Sequence, residues 1–97
     1  MAPTYRRSMS IETVKAELSM AMANEWLTSI HMHDGRIIEY AEIMELPKAT
    51  AAPALVRIRT YKILSGPRFV PKKKPHDITI SHISYADLHR DKPAPPL

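Results

Sequence analysis

The chain has no cysteine, and only two of its 97 residues, Gly35 and Gly66, are glycine. The first absence removes disulfides, thiolate nucleophiles and cysteine-rich zinc sites together, and it accords with a reducing compartment. The second removes the glycine-rich loop that cradles phosphates. No apolar run approaches the ~18 residues of a membrane span. Residues 1–9 carry Arg6 and Arg7 with no apolar stretch behind them, so no signal peptide is expected. The expected setting is the cytoplasm, away from any membrane.

Catalytic signatures are also missing. There is no G-x-S-x-G and no H-E-x-x-H. His82, Ser84 and Asp87 can be written as a triad, but such trios arise by chance in any chain. His31 and His33 beside Asp34 suggest a metal pair, with His76, His82 or His89 as further ligands. Two histidines beside a turn are ordinarily polar surface. Neither an enzyme nor a cofactor is expected.

A further deficit is local. Between Leu46 and His76 there is no acid, while eight basic residues fall there: Lys48, Arg57, Arg59, Lys62, Arg68, Lys72, Lys73 and Lys74. The net charge of +4 therefore hides a basic third quarter and a remainder that is net −4. Such a block can recruit an anionic partner; the plainer reading is a solvated loop.

Ninety-seven residues make one small domain. Residues 1–9 read as a flexible lead-in, residues 10–90 as the domain, and residues 91–97 as a proline-rich tail, disordered or in polyproline II. Ser10 is a good N-cap, and Ile11, Val14, Leu18, Ala21 and Met22 form an apolar stripe, so an amphipathic helix is expected over residues 10–24. From Trp26 the period changes to two. Asp34-Gly35 suggests a two-residue type I′ hairpin turn, with a return strand over residues 36–46. That strand is apolar on both faces: Ile38, Tyr40, Met44 and Leu46 on one, Ile37, Ala41 and Ile43 on the other. It should be bent, doubly covered, or part of a homo-oligomer contact.

After a linker at residues 47–53, "ALVRIRTYKIL" alternates as a third strand that turns Arg57, Arg59 and Tyr61 outward. "SGPRFVPKKKP" reads as a loop with a short edge strand at Phe69 and Val70. "HDITISHISYADL" closes the domain, with a kink at His82. One sheet of four or five strands with one helix needs its edges closed or covered. The expected fold is mainly β (α+β), a small five-stranded barrel capped by the N-terminal helix.

"LTSIHMHDGRIIEYAEIMEL" resembles the first motif of the Sm-like family: an apolar strand, an Asp-Gly turn and a long bent second strand. The Hfq branch of that family also begins with a short helix. His82-Ile83-Ser84 in "ISHISYADL" resembles part of its second motif, so the likeness covers roughly residues 10–88. It implies an SH3-like or Sm-like barrel. Tyr40 and Ala41 stand where the family favours a glycine at the bend, and the segments at 47–54 and 65–76 are longer than in typical bacterial members.

Arg57, Arg59, Lys62, Arg68, Lys72, Lys73 and Lys74 are the candidate phosphate contacts, with Tyr61 and Phe69 placed to stack on unpaired bases. The expected function is binding of RNA or single-stranded DNA, regulatory rather than catalytic. Against it stands a protein-interaction module or inhibitor that engages an acidic protein surface, such as a phage or mobile-element accessory acting on a host enzyme. Composition does not separate the two.

Overall fold

The computed structural model describes residues 10–48, 50, 52–63, 68–72 and 74–95. The expected lead-in at residues 1–9 lies outside them, as does Lys73. The order is a helix α1 (Ile11–Asn24), then strands β1 (Trp26–Met32), β2 (Ile37–Glu45), β3 (Leu55–Ile63), β4 (Phe69–Pro71) and β5 (His76–Thr79), a 3₁₀ turn (Ile80–His82), and β6 (Ile83–Pro93). The strands form one antiparallel sheet in the order β4-β3-β2-β1-β6, and β5 also pairs with β3. There are six strands, one more than expected, because the short strand at Phe69 is genuinely paired, Ile63 with Phe69 and Tyr61 with Pro71. None of the described residues forms a ladder between β6 and either β4 or β5. No helix among them is long and apolar enough to cross a membrane.

The expected helix is present. Ser10 Oγ accepts from the Thr13 backbone N–H at 3.2 Å, satisfying one of the free donors of the first turn. Val14, Leu18 and Ala21 are the buried stripe. They pack on Ile30, Met32, Ala41, Ile43, Val56, Ile58, Ile80, Ile83 and Ala86 to form the main core. The helix stops at Glu25, which is left-handed at φ 56°. Glycine is the usual residue there, because a Cβ crowds the following carbonyl. A carboxylate at this end also opposes the helix dipole. Glu25→Gly is expected to raise stability by about 0.5–1 kcal/mol, measured as an upward shift of the urea midpoint with an unchanged slope.

The hairpin differs from expectation. A type I′ turn needs positive φ at both central residues, but only Gly35 has it, at 93°. Instead Gly35 N–H donates to Met32 O at 3.0 Å and Met32 N–H to Arg36 O at 2.8 Å, closing a three-residue loop of His33, Asp34 and Gly35. Asp34 favours this form, since its carboxylate accepts from the Arg36 backbone N–H at 3.0 Å and from Arg36 Nε at 2.7 Å. Those bonds hold the Asp34 carboxyl below its ordinary pKa.

The two-faced second strand also has a local cause. Between the pairs Thr28 with Ala41 and Ile30 with Ile38, β1 advances two residues while β2 advances three. The extra residue makes a bulge, where Tyr40 takes φ 52°. Because side chains alternate with a period of two, one inserted residue reverses which parity faces the core. Ile38 packs inward before the bulge, Ala41 and Ile43 after it, and Ile37 and Met44 are exposed. The apolarity on both faces therefore records a change of parity along one strand. The bend expected near Tyr40 and Ala41 is made at Tyr40 without a glycine.

The tail is also corrected. β6 runs to Pro93, which pairs with Trp26, and Ala94 N–H donates to Glu25 O. The ordered strand thus extends beyond the expected domain end at residue 90. Pro93 is tolerated as the strand's last residue, where no ladder donor is required.

Candidate nucleic-acid interface

The face of the sheet turned away from α1 carries a second layer. Directly paired residues project to the same side, so the register places Leu27, Ser29 and His31 of β1 beside His89, Asp87 and Tyr85 of β6. It likewise places Glu42 of β2 beside Arg59 of β3, and Arg57 beside Asp77 of β5. Leu27 and Tyr61 are fully buried although neither belongs to the helix-packed core.

This layer neutralises the arginines expected to face an anion. Arg57 Nε donates to Asp77 Oδ1 at 3.0 Å, and that hydrogen bond raises the guanidinium above its ordinary value. Arg59 Nη1 lies 3.9 Å from Glu42 Oε1. Tyr61, expected outward beside them and free to stack, is only 2% exposed, and its hydroxyl donates to Glu42 Oε1 at 2.6 Å. β4 pairs with the end of β3, and Pro71 stands directly opposite Tyr61.

Burial, reinforced by the hydrogen bond to Glu42, pushes the Tyr61 phenol well above the ordinary tyrosine range. A free phenol ionises near pH 10. The raised folded value therefore contributes stability that is fully present below about pH 10 and is lost as pH rises through the folded value. One of the four tyrosines should remain protonated at about pH 11 in the folded protein. Phenolate absorbance during an alkaline titration checks this, and Tyr61→Phe should remove the late-titrating group.

The remaining candidates gather at the end of β3 and along β4. Lys62, Arg68, Lys72 and Lys74 are all exposed. Among the described residues they enter no ion pair. Phe69, expected to stack on an unpaired base, is half-buried, and its ring lies 5.4 Å from that of Tyr40, which in turn lies 5.3 Å from His89. One ring on β2 thus touches β4 and β6, which stand at opposite ends of the strand order. The same two margins line an apolar cleft through Ile63, Phe69 and Val70 on one side and Pro93 and Pro95 on the other.

Tyr40 and His89 were not expected at the site. The signal was weak: an aromatic-alanine pair where a bending glycine would be sought, and a histidine assigned to the end of the domain.

Two of the histidines in the metal reading form side-chain pairs. His31 Nε2–H donates to Asp87 Oδ2 at 3.0 Å, and its ring stacks on Tyr85 at 4.2 Å. The histidine that Asp87 bonds here is therefore His31. Ser29 Oγ and His89 Nε2 are hydrogen-bonded at 2.7 Å. Among the described residues no group of three or more His, Asp or Glu side chains could hold a metal ion.

An open concavity of about 1060 Å³ lies nearby. Met32, Ile38, Thr60 and Ile78 line it together with Arg36, Glu39, Lys62, Lys72, His76 and His82. Thr60 is buried, and its Oγ1 has no hydrogen-bond partner among the described residues. A buried hydroxyl left in that state costs about 1–3 kcal/mol.

Comparison of the chain with protein-family models, curated proteins and solved structures found no match.

Proposed function

We propose that the chain is a cytoplasmic nucleic-acid-binding small barrel of the SH3-like or Sm-like kind, regulatory rather than catalytic, that takes RNA or single-stranded DNA on the surface around β4. The observations that carry this reading are the uncommitted cations on and around β4, Lys62, Arg68, Lys72 and Lys74, and the half-exposed rings of Phe69, Tyr40 and His89 that meet at the same margin of the sheet. Cations already tied to carboxylates gain little from a phosphate, whereas free ones release counterions from the nucleic acid when they bind. The rings add sequence-tolerant stacking. A helix before β1, a hairpin at Asp34-Gly35, a second strand bent at Tyr40, and sheet margins that share one ring all support the barrel assignment.

A second reading, an interaction module for a protein partner or a further copy of the chain, is favoured by the apolar cleft between Phe69 and Pro93. Titration of a labelled single-stranded oligonucleotide across a salt series tests the first reading. Binding that falls steeply with salt supports it, and its absence on every single-stranded oligomer transfers the assignment to the second. A partner pulled down and retained after nuclease treatment would do the same.

A further inference from the structure

We infer that the concavity between the hairpin end of β1 and β2, the end of β3, β5 and the 3₁₀ turn binds a small organic monophosphate. Its lining divides by chemistry. Met32, Ile38 and Ile78 form an apolar part that packs against or belongs to the main core. Lys62, Lys72, His76 and His82 supply cationic or hydrogen-donating groups around it. Arg36 is already bonded to Asp34, and Asp77 to Arg57, so neither alters that balance.

Glu39 is an acid on the lining with no partner among the described residues. It disfavours a polyphosphate chain and leaves room for a single anionic group with a neutral body. Pockets for such ligands commonly measure about 300–1,000 Å³ and combine an apolar lining with a few placed polar groups.

Thr60 is the independent pointer. It is 5% exposed, its hydroxyl has no partner among the described residues, and it stands in the same lining. Buried hydroxyls are ordinarily bonded. The hydroxyl is closed off from solvent in the unliganded chain, so the ligand must displace the side chains over it; a phosphate oxygen entering beside Lys62 would then accept the Thr60 hydrogen while the ammonium neutralises its charge. The apolar part would then bury the ligand's body.

Phenyl phosphate is the probe, with inorganic phosphate and phenol as controls, followed by amide chemical shifts of the full chain. The expected result is saturable shifts centred on Thr60, Ile38, Ile78 and His82, with phenyl phosphate binding at least about tenfold tighter than either control. Thr60→Val should weaken phenyl phosphate about tenfold, since a charged hydrogen bond is lost. It should also leave thermal stability equal or higher, since the unpaired hydroxyl is gone. Thr60→Ser should keep binding, which guards against a fold defect in the valine variant.

The inference is overturned by non-saturable or scattered shifts, by equal binding of inorganic phosphate (an adventitious anion only), or by a Thr60→Val protein that binds as well as wild type. Because Thr60 and His82 lie outside the cation group around β4, their variants should bind single-stranded oligonucleotide normally. Failure of this inference therefore leaves the nucleic-acid reading to its own test.

Discussion

Leu18→Ala is expected to lower the unfolding free energy by about 2–5 kcal/mol, the largest effect of any single substitution considered for this chain. Leu18 is fully buried at the centre of the only helix among the described residues, against a sheet whose core side chains come from β1, β2, β3, β6 and the 3₁₀ turn. A 14-residue helix is marginal alone in water, so most of its stability must come from this packing. Truncation removes transfer energy and leaves a cavity that rigid strands cannot fill.

A domain of this size commonly has about 5–15 kcal/mol in total, so one methyl-rich side chain decides a large part of whether the protein is folded. Met20, on the opposite side of the same helix and 45% exposed, supplies the control: Met20→Ala should change stability by no more than about 0.5 kcal/mol. Urea denaturation of both variants reads the contrast. Equal midpoints would mean that α1 does not dock on the sheet through Leu18.

The second large effect is on binding. Replacing Lys62, Arg68, Lys72 and Lys74 together with alanine should weaken a single-stranded oligonucleotide on the order of a hundredfold at about 50 mM salt. Each phosphate contact contributes about 0.7 to the slope of log affinity against log salt for single strands, so the slope should fall by about 3 if all four contact phosphate. The paired alanine variant at Arg57 and Arg59 should behave differently. These guanidiniums already serve Asp77 and Glu42, so their loss should act mainly on stability and scarcely on the salt slope. A fluorescence anisotropy titration at several salt concentrations separates the two sets. If the arginine pair changes the slope and the β4 set does not, the phosphate contacts lie on β3 and the surface assignment made here is wrong.

This contrast shows where reading from sequence met its limit. Alternation along β3 put Arg57 and Arg59 on the face away from α1, where they are. Tyr61 shares that parity yet is buried, because alternation reports which side a residue projects to and says nothing of what lies over that side. Its hydroxyl is held by Glu42 of β2, and Pro71 of β4 stands beside it on the neighbouring strand, both placed by pairings between distant segments. The acids that neutralise the arginines come from β2 and β5, distant in sequence and brought alongside by strand register. A charge count over a window of sequence cannot see them, and so the acid-free interval looked more available to an anion than it is.

What the sequence determined by itself is whatever depends on neighbours within a turn or two of chain: the helix with its Ser10 cap, the strand that starts at Trp26, the hairpin at Asp34-Gly35, the alternation of β3, and the concentration of positive charge downstream of Leu46. Helical and strand periods, capping and turn chemistry all act over that range. Tertiary structure alone decided the parity reversal at Tyr40, the burial of Tyr61, the extension of β6 to Pro93, and which of the cations remain uncommitted. Each of these depends on the register between segments far apart in the chain. A single inserted residue in one strand exchanges its inward and outward sets, and no local pattern records which partner that strand will meet.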